Sequence, residues 1–196
     1  MATNRAVKLK GKKILLSPVS KNDIALFHSW ISDLEVTKTT LSSAKIFTLE
    51  DERDWFADIG RSADDKVLAI VVKNNAKVIG TIGLHKIDST DRRASLGIMI
   101  GDKRYWGKGY GKEAVVLMLD FAFTALNLHS VHLGVFAFNH RAVRAYKTVG
   151  FKEYGRQREA HFWGGVYYDI IQMDILESEF KSSRIKELIL EAQKMK

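Results

Sequence analysis

Ile98-Met-Ile-Gly-Asp-Lys-Arg-Tyr-Trp-Gly-Lys-Gly-Tyr-Gly-Lys-Glu-Ala114 joins a strand, a glycine turn and a helix start without a break. Leu96, Ile98, Met99 and Ile100 form the apolar run of a strand, and Ala114, Val115, Leu117, Met118, Phe121 and Ala122 recur at helical spacing. Gly107, Gly109 and Gly111 stand between them. A chain that leaves a strand, turns on glycines and enters a helix points several backbone N–H groups at one place, with the positive end of the helix dipole behind them. Glycine reaches positive φ there and lets the chain come close to a ligand. Lys108 and Lys112 add positive charge at the rim. The expectation is an anion site for a phosphorylated cofactor; the plain alternative is a tight loop with no ligand. A Walker A loop is excluded, because the glycines are too close together and no Lys-Ser/Thr pair follows; the Gly-x-Gly-x-x-Gly dinucleotide spacing is also absent.

A second block lies downstream. Val131-His-Leu-Gly-Val-Phe-Ala-Phe-Asn139 reads as a strand ending on a turn signal. Asn139 is placed to cap the helix His140-Arg-Ala-Val-Arg-Ala-Tyr-Lys-Thr-Val149, with Ala142, Val143 and Tyr146 on one face and Gly150 as its stop. The plain alternative makes Tyr146 an amphipathic core tyrosine and Asn139 only a cap.

The first block resembles motif A of the GNAT acetyltransferases, whose Gln/Arg-x-x-Gly-x-Gly/Ala loop binds the pyrophosphate of acetyl-CoA. Setting Gly109 and Gly111 on the family glycines leaves Trp106 where Gln or Arg stands. The offset register Arg104-x-x-Gly107-x-Gly109 also fits the letters but places the helix start less well. Tyr-Trp-Gly-x-Gly is similar to the branch holding ribosomal-protein N-terminal acetyltransferases and spermidine acetyltransferases, as is Trp30-Ile-Ser-Asp33. The second block resembles motif B, Asn-x-x-Ala-x-x-x-Tyr-x-x-x-Gly-Phe. That resemblance implies that Tyr146 protonates the leaving thiolate and that Asn139 contacts the cofactor or orders nearby water. It further implies that Leu96–Ile100, with Ile98, Met99 and Ile100 as the binding residues, hold the pantetheine arm as a false strand partner, in the splay between two parallel strands. Gly107, Lys108, Gly109, Tyr110, Gly111 and Lys112 then hold the pyrophosphate, with Trp106 counted among the co-substrate-binding residues.

The implied fold is α+β: a mixed, mostly antiparallel sheet splayed between two parallel motif strands, with helices on both faces. The resemblance covers about residues 13–176 of a chain expected to form one domain, 1–196. The rest reads coarsely. Lys13–Ser17 is a strand, Asp23 opens a helix to about Ser32, and Thr48 with Asp51 is a capping box ahead of Trp55. Val67–Lys73 and Val78–Leu84 are strands joined at Asn74-Asn75, His85–Arg92 is a turn, and Arg93–Ile100 is the next strand. Phe151–Tyr154 and Tyr167–Leu176 are strands around a loop near Gly164-Gly165. Beyond the resemblance, Ile185, Leu188, Ile189, Ala192 and Met195 form a helical stripe, expected to pack on its own domain, with a homodimer contact as the next alternative.

The reaction implied is direct acetyl transfer from acetyl-CoA, a co-substrate, to a primary amine: a protein N-terminus, a polyamine, an amino-sugar or an antibiotic. The amine must first lose a proton, and the oxyanion would rest on a backbone N–H near Met99 or Ile100. Many relatives carry a Glu as base where this chain has Ser95. Glu159 is the candidate carried forward, beside His85, His161 and Asp169, with His129 and His132 weaker. Phe162, Trp163, Tyr167 and Tyr168 favour a small or medium acceptor. A non-catalytic acyl-CoA-binding module on the same fold is the alternative.

Composition agrees. A chain of 196 residues that is 46% hydrophobic can bury a full core. The lack of cysteine excludes disulfides, thiolate metal sites and a Cys nucleophile, and no metal is expected. No apolar run approaches a membrane span and no secretory signal is visible, so a cytoplasmic enzyme is expected. The net charge of +8 is read as solubility plus attraction of an anionic cofactor. No aromatic-interleaved basic strip points to nucleic acid. The charge opposes a free polycation as acceptor unless a local acidic pocket overrides it.

Overall fold

Two capping boxes start the early helical segments. Ser20 accepts from the Asn22 N–H and Asp23 returns a bond to the Ser20 backbone, which begins a 3-10 turn at Lys21–Asp23. That turn, capped by Ser20, runs straight into α1 (Ile24–Ile31), whose N-cap is Asp23, the residue expected to open the helix, although its side chain makes no cap hydrogen bond there. Thr48 and Asp51 cap each other's backbone as expected ahead of α3 (Leu49–Arg61), and α2 is the single turn Leu34–Thr37. The computed structural model describes residues 5–40, 43–181 and 185.

Eight strands follow the spatial order β1-β2-β3-β4-β5-β6-β8-β7. They are β1 (Leu9–Lys10), β2 (Ile14–Pro18), β3 (Lys66–Val72), β4 (Val78–Asp88), β5 (Arg93–Ile100), β6 (Ser130–Phe136), β7 (Lys152–Trp163) and β8 (Val166–Leu176). The β1–β2, β2–β3, β3–β4, β6–β8 and β7–β8 pairs are antiparallel, and β5–β6 is parallel. The parallel register covers three residues of each strand, Arg93↔Ser130 to Ser95↔His132. On its other side β6 pairs with β8 over all seven of its residues.

The chain divides into two compact units, the first running to His85 and returning for Gly97–Leu117, the second comprising Lys86–Leu96 and the chain from Met118. In the first, Phe27, Trp30, Val36, Ala69 and Val71 form a buried cluster against which Trp55, Met99 and Trp106 pack. Burying a side chain the size of Phe27 or Val71 contributes about 1.5–3 kcal/mol. A side chain at Gly101 would run into the Trp30 indole, which fixes glycine at the end of β5. In the second unit, Val131, Leu133, Met173 and Ile175 are buried along β6 and β8, and Phe151 beneath α5 (His140–Val149).

Helix α4 (Tyr110–Asp120) widens into a π turn over Phe121–Ala125, where the Leu126 N–H reaches back five residues to Phe121 O. Asp120, 1% exposed, accepts from the Thr124 hydroxyl and the Ile185 N–H. The rest of the expected C-terminal helix lies outside the described residues. Among those described, no helix is long and apolar enough to cross a membrane.

Three strand boundaries depart from the sequence expectation. β4 continues through His85–Asp88, where a turn was expected, with Lys86 at φ +51. A single left-handed residue kinks a strand without ending it. The β3–β4 hairpin finds its positive φ at Ala76 rather than at Asn74-Asn75. β7 runs nine residues beyond Tyr154, through the polar run Gly155–Glu159. It is the last strand in the order, where solvated charged side chains are compatible with pairing on one side only.

Candidate active site

The first unit supplies a turn made of backbone. β5 ends at Ile100, Asp102 caps a 3-10 turn over Lys103–Tyr105, and α4 begins at Tyr110. Gly107 and Gly109 lie at φ +71 and +84, the left-handed region that excludes most side chains, whereas Gly111 falls within the first helical turn. A Cβ on Gly107 or Gly109 would meet nothing within 4 Å, so the turn is open above both. The first N–H with a partner inside the helix is that of Glu113, on Gly109 O at 3.1 Å. The donors of Tyr110, Gly111 and Lys112 are the orphaned first-turn amides of any helix. Lys108 and Lys112 are exposed beside them. Open space, unused donors and positive charge together suit a diphosphate.

Several side chains brace this turn. Trp106 Nε1 donates to Ile100 O at 2.6 Å, tying the turn back to the strand. Lys13 Nζ donates to Lys108 O at 3.4 Å, and the Lys13 N–H donates to Glu113 Oε1 at 2.9 Å. Tyr110 meets Tyr105 edge-on at 5.3 Å between centroids. Asp102, 8% exposed, accepts from Arg104 through both oxygens and pairs with Lys77 at 3.1 Å. The Arg104 hydrogen bond, with Lys77 in support, outweighs burial and holds the Asp102 carboxyl far below its usual range. The sequence reading missed Asp102 and Glu113. The Asp ahead of a turn was a visible cap signal, but the partners Lys77 and Lys13 are distant in the chain.

The second unit supplies side chains. Asn139 caps α5, its Oδ1 accepting from the Ala142 N–H at 3.2 Å, which leaves the two amide donors of Nδ2 for other use. Tyr146 stands two turns on and meets Phe151 edge-on at 5.7 Å. Burial pushes its hydroxyl up to about 12, so it keeps its proton at any physiological pH. Gly150, at φ +120, closes the helix.

The base candidates fall in very different places. His85, in the first unit, sets Nδ1 2.9 Å from Asp65 Oδ1. The others lie on β7 and β8. Glu159 is an exposed strand residue at φ +50, where the β7–β8 register shifts, and its N–H donates to Asp169 Oδ1 at 2.9 Å. Arg156 pairs with Glu153 and Asp169 rather than with Glu159. The Glu159 amide and then Arg156 hold the Asp169 carboxyl below its usual value. His161 stacks on Phe136 at 4.1 Å with its Nε2 buried and unpartnered. The Phe162 and Tyr167 rings lie tilted against each other at 4.9 Å, both more than half exposed beside the Gly164-Gly165 turn. Burial lowers His132 from its usual value, while His129 ends the link into β6.

A family model described as an acetyltransferase (GNAT) domain matches residues 13–152. An uncharacterized N-acetyltransferase p20 of Bacillus licheniformis is 28% identical over 176 residues, covering 86% of this chain and 96% of the relative. Spermidine N(1)-acetyltransferase of Vibrio cholerae is 36% identical over 118 residues, covering 60% of this chain and 68% of the relative. Among solved structures, spermidine N-acetyltransferase from Vibrio cholerae in complex with CoA and spermine superposes with a TM-score of 0.79 at 24% identity. It covers 86% of this chain and 98% of that one, a likeness of fold.

Proposed function

The chain belongs to the GNAT acetyltransferases, enzymes that take acetyl from acetyl-CoA, and from that premise we propose that it acetylates a primary amine of a polyamine such as spermidine. The observation that carries the acceptor is charge. The chain is +8 overall, yet residues 31–65 hold nine acidic side chains against four basic ones. Glu52 lies among them, 6% exposed, its carboxyl raised chiefly by burial. A local negative field is what a polycation needs to approach a basic protein. The Vibrio cholerae relatives act on or bind spermidine and spermine, which supports the same class here.

In this reading the amides of residues 107–112, with Lys108 and Lys112 at the rim, bind the diphosphate of acetyl-CoA. Ile98–Ile100 offer strand amides to the pantetheine arm, and the short β5–β6 register supports an edge left available for it. A neutral amine attacks the thioester carbonyl, and an amide near Met99 or Ile100 steadies the oxyanion. Tyr146 donates to the departing thiolate, and Asn139 Nδ2 donates to the co-substrate or to water beside it. A phenol at about 12 is a much weaker acid than a thiol near ~8.5, so Tyr146 acts first as a hydrogen-bond donor to charge growing on sulfur.

The test is acetyl-CoA turnover over a panel of spermidine, spermine, a monoamine, an aminoglycoside and a peptide with a free N-terminus. Polyamines should have the highest kcat/KM, falling steeply with salt. Faster turnover of the peptide, or salt-independent turnover of spermidine, would overturn the acceptor while leaving acetyl transfer intact.

A further inference from the structure

β5 carries no acid or base from Ala94 to Ile100, so the strand proposed to hold the thioester cannot itself take a proton from an ammonium. Its neighbour β4 carries His85. An ionised carboxylate only accepts, so the 2.9 Å contact to Asp65 Oδ1 places the ring hydrogen on Nδ1. The other Asp65 oxygen accepts from the Ser62 hydroxyl at 2.9 Å, and the Asp65 N–H returns to Ser62 Oγ at 3.0 Å. Lys66 turns its ammonium onto the carbonyls of Ser62, Ala63 and Asp65.

With Nδ1 committed, the lone pair of the neutral ring is on Nε2. That nitrogen lies over two glycines. A Cβ on Gly83 would come within 2.7 Å of it and one on Gly97 within 3.3 Å, so a side chain at either position would crowd the nitrogen. The His85 side chain is 39% exposed, and among the described residues nothing hydrogen-bonds Nε2. The kink at Lys86, next along the chain, is the kind that re-aims a strand side chain. Neither rival histidine nor acid offers this. His161 has its free nitrogen sealed among aromatic rings, and Asp169 is held ionised by two donors.

We infer that His85 Nε2 is the general base for the acceptor amine, with Asp65 and Ser62 as positioning residues that fix its tautomer. The inference rests on the acetyl-transfer function proposed above. The ammonium gives one proton to Nε2. The nitrogen lone pair then forms the C–N bond to the thioester carbonyl, and the adduct collapses by breaking C–S. The thiolate leaves and takes up the second proton that nitrogen loses. His85 returns its proton to water, so the sum is ammonium plus thioester giving amide, thiol and one released proton.

The test pairs kinetics with histidine NMR on the full chain, using spermidine or whichever panel amine is turned over. His85→Gln should lower kcat about a hundredfold at pH 7 while the CoA dissociation constant stays within about twofold. The deficit should shrink as pH rises and the amine loses its proton unaided. Asp65→Asn should cost about tenfold. In 15N spectra of the wild type, the His85 ring should be protonated at Nδ1 and bare at Nε2, a preference lost in Asp65→Ala. A deficit that stays constant with pH, or a ring carrying hydrogen on Nε2, overturns the assignment. If His85→Gln also loses CoA binding, Asp65→Asn decides, since it keeps the ring in place. Wild type that acetylates no amine in the panel sinks the acetyl-transfer reading instead, and the ring spectrum then stands apart from it.

Discussion

The glycine turn and the Asn139–Tyr146 helix are both strand–turn–helix passages, yet they use opposite parts of the chain. In the first, φ of +71 and +84 at Gly107 and Gly109 sets the direction of backbone donors, and the Trp106 indole ties the turn back to its strand. In the second, the backbone is an ordinary capped helix, and what it offers is one amide and one phenol. Binding by amides tolerates almost any side chain but not a changed φ. Chemistry by a phenol tolerates a changed backbone poorly and a lost oxygen not at all. The two halves should therefore fail in different observables.

The largest effect belongs to the phenol. Tyr146→Phe keeps the ring against Phe151 and removes only the oxygen, so kcat should fall about a hundredfold with CoA affinity within about twofold. Because the hydroxyl keeps its proton to about pH 12, no rate limb from this group should appear below pH 10 in the wild type. Steady-state kinetics with isothermal titration of CoA would separate the two readouts. Equal losses in both would erase the division between halves.

Next comes the brace under the turn. Asp102→Asn keeps a cap acceptor for the Arg104 N–H but removes the charge facing Arg104 and Lys77. Breaking a buried ion pair costs about 3–5 kcal/mol. Both cationic partners are substantially exposed, which brings the expectation to about 2 kcal/mol. The carboxyl is held down in the folded state, so its contribution is present above the unfolded value of 3.8 and is lost as pH falls below it. Urea unfolding should show a wild-type advantage at pH 7 that narrows progressively below pH 4. An advantage that grows with acid would reverse the sign and discard the brace.

The backbone half follows. Gly109→Ala forces a Cβ into left-handed geometry at a cost of about 1–2 kcal/mol. CoA affinity should drop about tenfold, although the Cβ itself meets no atom within 4 Å. Gly111→Ala is the control. Its nearest neighbours, the Ile98 and Ile100 side chains, stand at 3.6 Å or more, so affinity should change less than about threefold. Similar losses at both glycines would point to crowding rather than φ as the determinant.

Both passages were legible in sequence because each is local. Strand, glycine or Asn signal and helix periodicity all fall within about twenty residues, and the Thr48–Asp51 box was visible for the same reason. What escaped was set by pairing across the chain. β7 is extended through a polar run that no alternation marks, since only its β8 side is hydrogen-bonded. His85 was taken for a turn residue, and nothing in the letters joins it to Asp65 twenty positions earlier. Asp23 does open α1, but the 3-10 turn that Ser20 caps just ahead of it carries no periodic mark. A cap follows where the backbone begins to coil, which periodicity locates only to within a turn.

The smallest expected effect sharpens the comparison most. Lys108 is exposed, and its carbonyl, not its ammonium, is tied down by Lys13. If amides carry the diphosphate, Lys108→Ala removes one screened surface charge worth about 0.5 kcal/mol, roughly a twofold loss of CoA affinity at low salt. That loss should vanish near 0.5 M salt, because exposed charges lose their reach as the Debye length falls below about 5 Å. The Gly109→Ala loss should persist there, since backbone geometry does not depend on ionic strength. A tenfold loss from Lys108→Ala would mean that side-chain charge, rather than main-chain donors, grips the ligand. The turn would then be a scaffold for lysines, and the contrast with the Tyr146 helix would collapse into two versions of the same side-chain strategy.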